Sequence, residues 1–544
     1  MANGHYAHFG LREGIEFSLR SYFYNYPNEV KFDISVDGLP LAKSSSSQFW
    51  PIMGSVVSDC YTDPFVIGIF HGMKKPADVN EFLRPLVDEL KHLQQEGFVI
   101  DNKNIKVTLN AIIADAPAKA FVTQVKGHTG YFGCSKCIQE GDFLQNRVIF
   151  PEVNSTERTD ESFRLKQHPE HHIGNTCLEK LKIGMVSQVP LDYAHLTCLG
   201  CLKRLIQRWV KGKRDVRLQE NTQNSINASL IVLRPFITSE FARLPRSLHE
   251  IDRWKATELR QFLLYTGPVV LRNLLPVKYY EHFVVLSVAI RILADPEYCT
   301  VLIDYAQSLL TWFVSNYGSL YGHQFLSYNV HNLVHLCNDV RKFGPVDNFS
   351  SFKYENNMQK IKNQLRTSGK PLEQIFPDTD CVSEVSACWL RISDNKAQCW
   401  WPERSKNVAS LISSCSPPVE SKWVLYNVEI ERYCSNLDKA RKVAGNPTYT
   451  STDDELLGRG KRITMPQQDQ STSDEESTDP GISVGRPPSM PTVNESVMNK
   501  SATLIGQSLL VLNNNHETLP PNSVGKKTFF FALYVYSLDC LSTQ

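Results

Sequence analysis

The spacing of apolar residues changes period along this chain, and the changes divide it into distinct regions. From Glu29 to Asp115 the pattern is that of a small sheet. Val30 to Asp37 alternates apolar and polar residues as a half-buried strand does, and Gly38 with Pro40 ends it. Phe49 to Val57 and Pro64 to Phe70 are further β-rich runs separated by turn residues, so the three strands can form a meander. Ala77 to Gln95 then places Val79, Phe82, Leu83, Leu86, Val87, Leu90 and Leu93 at helical spacing ahead of Gly97, and Ile105 to Ala114 is a strongly apolar strand. Three strands, a helix and a fourth strand predict a mixed α/β layer fold.

Helical spacing takes over across 141–321, in Leu178 to Met185, Leu196 to Val210, Gln223 to Leu233, Ile251 to Leu264, Tyr279 to Leu293 and Thr300 to Asn316. This predicts a large α-helical insertion. Two further helices follow, Leu326 to Val340 and Ser351 to Arg366. The expected organisation is a first part of the α/β core in 1–140, the insertion in 141–321, a final part of the core in 322–376, a folded extension in 377–440 and a mostly disordered tail in 441–544. In the tail Ser, Thr, Pro, Asp and Asn replace the large apolar residues that would have to offset chain entropy.

The composition, 42% hydrophobic and 21% charged, is ordinary for a folded soluble protein, and 544 residues allow more than one core. A net charge of +1 conceals a local imbalance, because Lys203, Arg204, Arg208, Lys211, Lys213, Arg214 and Arg217 cluster within one stretch. Fourteen cysteines at mostly irregular spacing, with no apolar N-terminal signal, predict thiols in a reducing compartment rather than a disulfide framework. The most apolar run, Phe529 to Leu538, is far shorter than the roughly 20 residues of a membrane span, so no membrane role is expected. Gly458 to Arg462 is a short basic run of the kind that directs nuclear import, although such runs also occur as solvated charge.

Three acids stand at positions that suit metal-dependent phosphodiester chemistry. Asp37 ends the first strand, Asp115 ends the fourth, and Glu355 lies on a late helix. Phosphodiester cleavage needs an activated water or hydroxyl and neutralisation of the leaving oxygen, which two Mg²⁺ or Mn²⁺ ions supply, and about three carboxylates can hold such a pair. Taken singly, each acid is an ordinary turn or surface residue. Cys134 and Cys137 form a knuckle whose two thiolates can reach one Zn²⁺, and His331 and His335, four apart on a predicted helix, can supply the other two ligands of a structural site. That clip would close a loop of 194 positions between Cys137 and His331. Cys198 and Cys201 compete as a knuckle, but in an apolar helix they read better as buried thiols.

Asp192 can cap the helix that follows it, with His195 either a core residue or a side chain beside the scissile phosphate. His168, His171 and His172 are either phosphate contacts or part of an exposed polar loop. Lys203, Arg204, Arg208, Lys211, Lys213 and Arg214, interleaved with Leu205, Ile206, Trp209 and Val210, predict a helix with one apolar face and one cationic face that suits a DNA backbone. A solvated helix face is the alternative. Lys362 and Arg366 add positive charge on the helix of Glu355.

At these residues the chain resembles the transposases of the CACTA, or En/Spm, group of cut-and-paste DNA transposons. The likeness covers roughly residues 4–376. It is carried by Asp37-Gly38-Leu39-Pro40 with Gln48-Phe49-Trp50-Pro51, by Gly127 to Cys137, by Leu191 to Leu196, and by Gly344-Pro345 leading to Phe352-Lys353-Tyr354-Glu355-Asn356. The resemblance implies an RNase H-like fold whose triad falls on Asp37, Asp115 and Glu355, interrupted by a helical insertion. It further implies double-stranded DNA as partner, a nuclear location and a homo-oligomer when active. The zinc arrangement is similar to that of the V(D)J recombinase catalytic core, carried onto Cys134, Cys137, His331 and His335. Such transposases usually have a DNA-binding module ahead of the core, and 36 residues precede Asp37 here, so a truncated copy is one expectation. The alternative function is a domesticated, catalytically inactive protein that keeps the fold and binds DNA or chromatin.

Overall fold

A computed structural model describes residues 1–364 except 2, 43, 44 and 60, and beyond them only short stretches: 372, 389–393, 396–402, 411, 418–419, 423–428 and 486–489. The chain divides into two units, one of residues 1–363 with 480–544, the other of 364–479.

In the first unit β1 (Gly4–His8), β2 (Glu29–Val36), β3 (Leu39–Pro40), β4 (Gln48–Val56), β5 (Phe65–Gly72), β6 (Phe98–Ile100) and β7 (Lys103–Ile113) form one mixed sheet. Its order is β1-β5-β4-β2-β7-β6, with β3 paired to β4. The expected meander is present as the antiparallel neighbours β2, β4 and β5, and β7 lies parallel to β2. A parallel neighbour requires a crossover, which α2 (Val79–Glu96) supplies between β5 and β7. Asp78 caps α2 through the N–H of Asn80 at 2.8 Å, and Gly97 ends it at φ 68°, where a side chain would strike the Ile105 carbonyl. The α2 stripe read from the sequence, Phe82, Leu83, Leu86, Val87, Leu90 and Leu93, is buried against the sheet.

Beyond the short strands β3 and β6, two elements at the start of the chain were not anticipated. Edge strand β1 and helix α1 (Leu11–Tyr22) precede the first expected strand, and the Glu89 carboxylate of α2 accepts the N–H groups of Leu11 and Arg12, each at 2.8 Å, at the positive end of α1.

One irregularity in β7 decides where the acids point. Phe32 of β2 faces Leu109, but Asp33 faces Ala111, so Asn110 is an extra residue in β7. Before this bulge Ile105, Val107 and Leu109 enter the core; after it Ile112 and Ala114 do. On β2 the core takes Val30, Phe32, Ile34 and Val36 throughout. Asp33, Ser35 and Asp37 therefore share the opposite face with Ala111, Ile113 and Asp115.

The expected helix over Leu178–Met185 is replaced by a single 3₁₀ turn, Cys177–Lys180. Its apolar residues, Leu178, Leu181, Ile183 and Met185, join the sheet core, and the Gln188 carbonyl accepts Ile112 N–H at 2.8 Å. Residues 141–193 hold a hairpin of β8 (Asp142–Leu144) and β9 (Arg147–Ile149), the short helix Asp160–Arg164 and turns. Long helices begin only at Ala194, later than the expected boundary at 141. Ala194–Leu202 is π-helical and continues as Lys203–Lys211, and Glu220–Leu233, Val277–Ala294 and Ile303–Tyr321 follow. Ile251–Leu264 is split among Leu248–Arg253, Ala256–Gln261 and Phe262–Thr266. Leu326–Val340 is likewise broken, into Tyr328–His331, a 3₁₀ turn Asn332–His335, and Leu336–Phe343.

Phe352–Gln364 carries Glu355 and lies on the acid-bearing face of the sheet. Lys353 reaches the buried Asp33 carboxylate at 3.4 Å, Lys360 pairs with Asp63, and the Asn357 amide donates to the Pro64 carbonyl at 2.9 Å. The second unit has β10 (Leu390–Ser393), β11 (Lys396–Pro402) and β12 (Trp423–Val428) in one antiparallel sheet within the expected 377–440 extension. Arg366, the basic run Gly458 to Arg462, the apolar run Phe529 to Leu538 and nearly all of the expected tail lie outside the described residues. No described helix is long and apolar enough to cross a membrane.

The Asp33–Lys353 pair separates buried from exposed electrostatics. Burial raises the Asp33 carboxyl, opposed by the Lys353 charge and by the Asn110 amide at 2.7 Å. Lys353→Ala leaves that carboxylate without its cation and is expected to cost about 3 kcal/mol of stability. Lys360→Ala breaks a pair whose side chains are 65% and 45% exposed, and should cost under about 1 kcal/mol. Because the native state holds the Asp33 proton more tightly than the unfolded chain does, the stability from this group falls as pH rises through its raised value. The Lys353→Ala penalty should therefore shrink toward acid pH. Urea unfolding at neutral and acidic pH measures both effects.

Candidate functional site: an acid cluster and a cysteine–histidine centre

Asp37 and Asp115 each lie two residues past the last paired positions of β2 and β7, Ser35 and Ile113, so the register that joins those strands also sets the two acids side by side. The Asp37 carboxylate accepts the Gly38 N–H at 2.6 Å. Asp115 caps α3 (Ala116–Thr123), accepting Ala118 N–H at 2.7 Å, so it sits at a helix N-terminus that favours its charge. Glu355 approaches from the first turn of its helix, with Oε1 at 3.4 Å from His195 Nε2. Burial, then the Asp115 charge, raise the Asp37 carboxyl to about 7; His195 and Gly38 oppose the shift, and Glu355 adds to it. Asp37 thus feels both of the other expected acids.

His195 opens the π-helical segment, a distortion often found at functional sites. Asp192, fully buried, accepts His195 Nδ1 at 2.5 Å and His195 N at 3.0 Å. Burial pulls the His195 imidazolium down, but Asp192, Glu355 and Asp37 outweigh it and lift the group to about 10. It is a cation among carboxylates, and Nε2 is the ring atom left facing Glu355. Asp192 is a helix cap, as expected, and also more than that. Its Oδ1 accepts Ser351 N–H at 2.7 Å, and its Oδ2 accepts the Ser351 hydroxyl at 2.9 Å. Ser351 was missed by sequence reasoning. Its contact to Asp192, 159 residues away along the chain, leaves no local signal.

The second centre is tighter. The ligand atoms of Cys134, Cys137, His331 and His335 lie within 4.8 Å of one another, and all four residues are buried. The sulfurs are 3.6 Å apart, and Cys137 Sγ and His335 Nε2 each stand 3.3 Å from His331 Nε2. His331 Nδ1 is 3.0 Å from the Glu152 carbonyl and His335 Nδ1 is 3.9 Å from the Glu157 carboxylate, outer contacts that fix which ring nitrogen faces inward. Burial opposes ionisation of Cys134, yet hydrogen bonds from Cys137 and the two histidines hold its thiol well below the usual range. A buried set of two sulfurs and two imidazole nitrogens can hold a zinc-like metal ion. The three acids are not gathered so closely; among the described residues this cysteine–histidine group is the one that reaches that span.

Lys136, between the two cysteines, forms a buried pair with Asp339 at 2.7 Å, and the other Asp339 oxygen accepts Leu191 N–H at 2.7 Å. Lys119, also buried, donates to the Pro190 carbonyl at 2.6 Å. A polar network therefore runs from the metal-ligating loop to the residues just before Asp192.

The expected basic face is exposed at Arg204, Lys211, Lys213, Arg214 and Arg217 and half-buried at Lys203 and Arg208, and several of its cations already have partners within the chain. Lys203 donates to the Asp252 and Trp254 carbonyls, Lys211 pairs with the Asp252 carboxylate at 2.5 Å, and the Arg208 guanidinium stacks 3.4 Å over the Phe325 ring. Lys362 donates to the Pro40 carbonyl. Cys198 and Cys201 are free, buried thiols, as expected. His171 is buried with Nδ1 at 2.6 Å from the Phe132 carbonyl, and His172 packs on Phe163, which removes these two from the expected exposed loop.

Comparison with protein-family models gives no match, and no curated protein matches significantly.

The cysteine–histidine geometry predicts that the purified chain carries a single zinc ion. Cys137→Ser should lose it and lower stability by several kcal/mol, because binding energy at such a site is folding energy. Cys201→Ser should leave metal content unchanged. Metal analysis paired with thermal unfolding reads both outcomes.

Proposed function

We propose that this chain is a DDE-type, transposase-derived protein with an RNase H-like core that cleaves and joins DNA strands with two divalent cations. The observation that carries the reading is the juxtaposition of Asp37 and Asp115 beyond adjacent parallel strands, with Glu355 brought over them through His195. The mixed sheet, the α2 crossover and the arrival of the third acid after a long, largely helical stretch all fit that fold. The likeness of Gly127 to Cys137 and of Phe352 to Asn356 to CACTA transposases supports the same assignment.

The donor chemistry fits Mg²⁺ or Mn²⁺. Three carboxylates lie toward one face, and Asp37, raised first by burial and then by the Asp115 charge, is a group whose ionised form a cation would favour. When bound, the two ions would activate the attacking water or 3′-hydroxyl and neutralise the leaving oxygen. Asp37, Asp115 and Glu355 would hold the two ions between them and the substrate phosphate. His195, its Nδ1 committed to Asp192, would turn Nε2–H to a non-bridging phosphate oxygen. Arg204, Lys211, Lys213 and Arg214 would meet the DNA backbone, with the half-buried Lys203 and Arg208 helping to hold the helical stretch together. Action on double-stranded DNA implies the nucleus and an oligomer that joins two DNA ends.

The test is nicking of supercoiled plasmid and duplex DNA with Mg²⁺ or Mn²⁺. Cleavage by the parent and loss to background in Asp37→Asn and Glu355→Gln are expected. Cleavage by Glu355→Gln equal to the parent would overturn the assignment. Salt-dependent DNA retention without any metal-dependent product would select the domesticated, non-cutting alternative.

A further inference from the structure

Asp192 is bonded more heavily than a helix cap requires. Capping accounts for His195 N–H at 3.0 Å and Ala194 N–H at 3.4 Å. The same carboxylate also takes the backbone N–H and the hydroxyl of Ser351, 159 residues later in the chain. Its side chain is 1% exposed, so these bonds form where water cannot compete for them. Ser351 is equally informative from the other side. Its carbonyl accepts Glu355 N–H at 2.9 Å, and its hydroxyl oxygen stands 2.9 Å from Asp192 Oδ2 and 3.3 Å from Glu355 Oε1.

We propose that Ser351 and Asp192 are positioning residues for Glu355, through which the start of the helical segment at Ala194 sets how the third carboxylate is presented to a divalent cation. This rests on the carboxylate reading above and deepens it. A hydroxyl has one proton to give. In this structure the hydroxyl lies between Asp192 Oδ2 at 2.9 Å and Glu355 Oε1 at 3.3 Å; when the Glu355 oxygen turns to a cation, the O–H stays on the nearer Asp192 oxygen and only the longer contact is given up. Glu355 is thus held without being trapped. Asp192 in turn holds Ser351 by its backbone, so the first residues of the Glu355 helix cannot drift from His195.

Mn²⁺ binding to the whole chain, followed without DNA by the resonance of free Mn²⁺, tests this apart from cleavage. Ser351→Ala should weaken the binding that Asp37→Asn abolishes, by about ten- to a hundredfold, the usual effect of removing an outer contact. Ser351→Thr, which restores the hydroxyl, should recover most of it, with zinc content and circular dichroism unchanged in both. Equal Mn²⁺ affinity in Ser351→Ala and parent, or Ser351→Thr as weak as Ser351→Ala in a folded chain, overturns the positioning role alone. If Ser351→Ala does not fold, Asp192→Asn takes its place: weakening in the same range supports the role and unchanged affinity overturns it. A parent without any Mn²⁺ binding sensitive to Asp37→Asn overturns the two-cation reading and this inference together.

Discussion

Two carboxylates on neighbouring strands can serve one site only if both strands turn the same face toward it, and here a single β-bulge meets that condition. Were Asn110 paired regularly with Asp33 instead of bulged, the β2–β7 register would place Ala114 opposite Asp37 and turn Asp115 toward α2. With the bulge, Asp115 takes that place and the face is shared. The bulge is itself held. Asn110 donates to Asp33, Asp33 pairs with Lys353, and Lys353 belongs to the helix of Glu355. One buried carboxylate therefore touches both the residue that aligns the first two acids and the element that delivers the third.

Length is not the difficulty in bringing Glu355 back to a site whose other acids lie in the first 115 residues. Loop-closure entropy rises by only about 0.6 kcal/mol per doubling of loop length. Orientation is harder, because a long connection brings its ends near each other without aligning them. The chain answers with ties at both ends of the intervening segment. Cys134 and Cys137 meet His331 and His335, Lys136 meets Asp339, Asp339 meets Leu191, and Asp192 meets Ser351. Each tie joins residues from the two ends of the intervening stretch, and together they leave Glu355 little freedom to pivot.

Period and turn chemistry made β2, β4, β5, β7, α2 and the helix of Glu355 legible, because each buries one face and shows the other to a different environment. The bulge was not legible, because Ala111, Ile112, Ile113 and Ala114 are all apolar and the run gives no sign of which of them enter the core. Other features could not be read locally. Leu178 to Met185 has enough apolar residues for a helix, but they are spent on the sheet core from an irregular backbone. The histidine pair was expected on a regular helix, and the backbone instead tightens to a 3₁₀ turn between the two rings. The cationic face of Lys203 to Lys211 shows which side is polar but not that Asp252 waits there, 49 residues beyond Lys203. Ser351 is silent for the same reason: what matters about it is its distance from Asp192.

Partnering separates the acids that build this fold from those that suit chemistry. Asp33 has Lys353, Asp339 has Lys136, and Asp192 is saturated by donors from His195 and Ser351. Asp37, Asp115 and Glu355 are provided for differently. Glu355 has the His195 cation at 3.4 Å, Lys255 contributes from farther off, and the Asp37 carboxyl is driven up by burial and then by the Asp115 charge. A fold selected only for stability would dilute such a cluster or pair each member, since like charges in a half-buried pocket oppose folding. Any cation that binds the folded cluster and not the unfolded chain returns that stability by mass action. The carboxylates on this face of the sheet are therefore what the proposed divalent ions, rather than further packing of the chain, would complete.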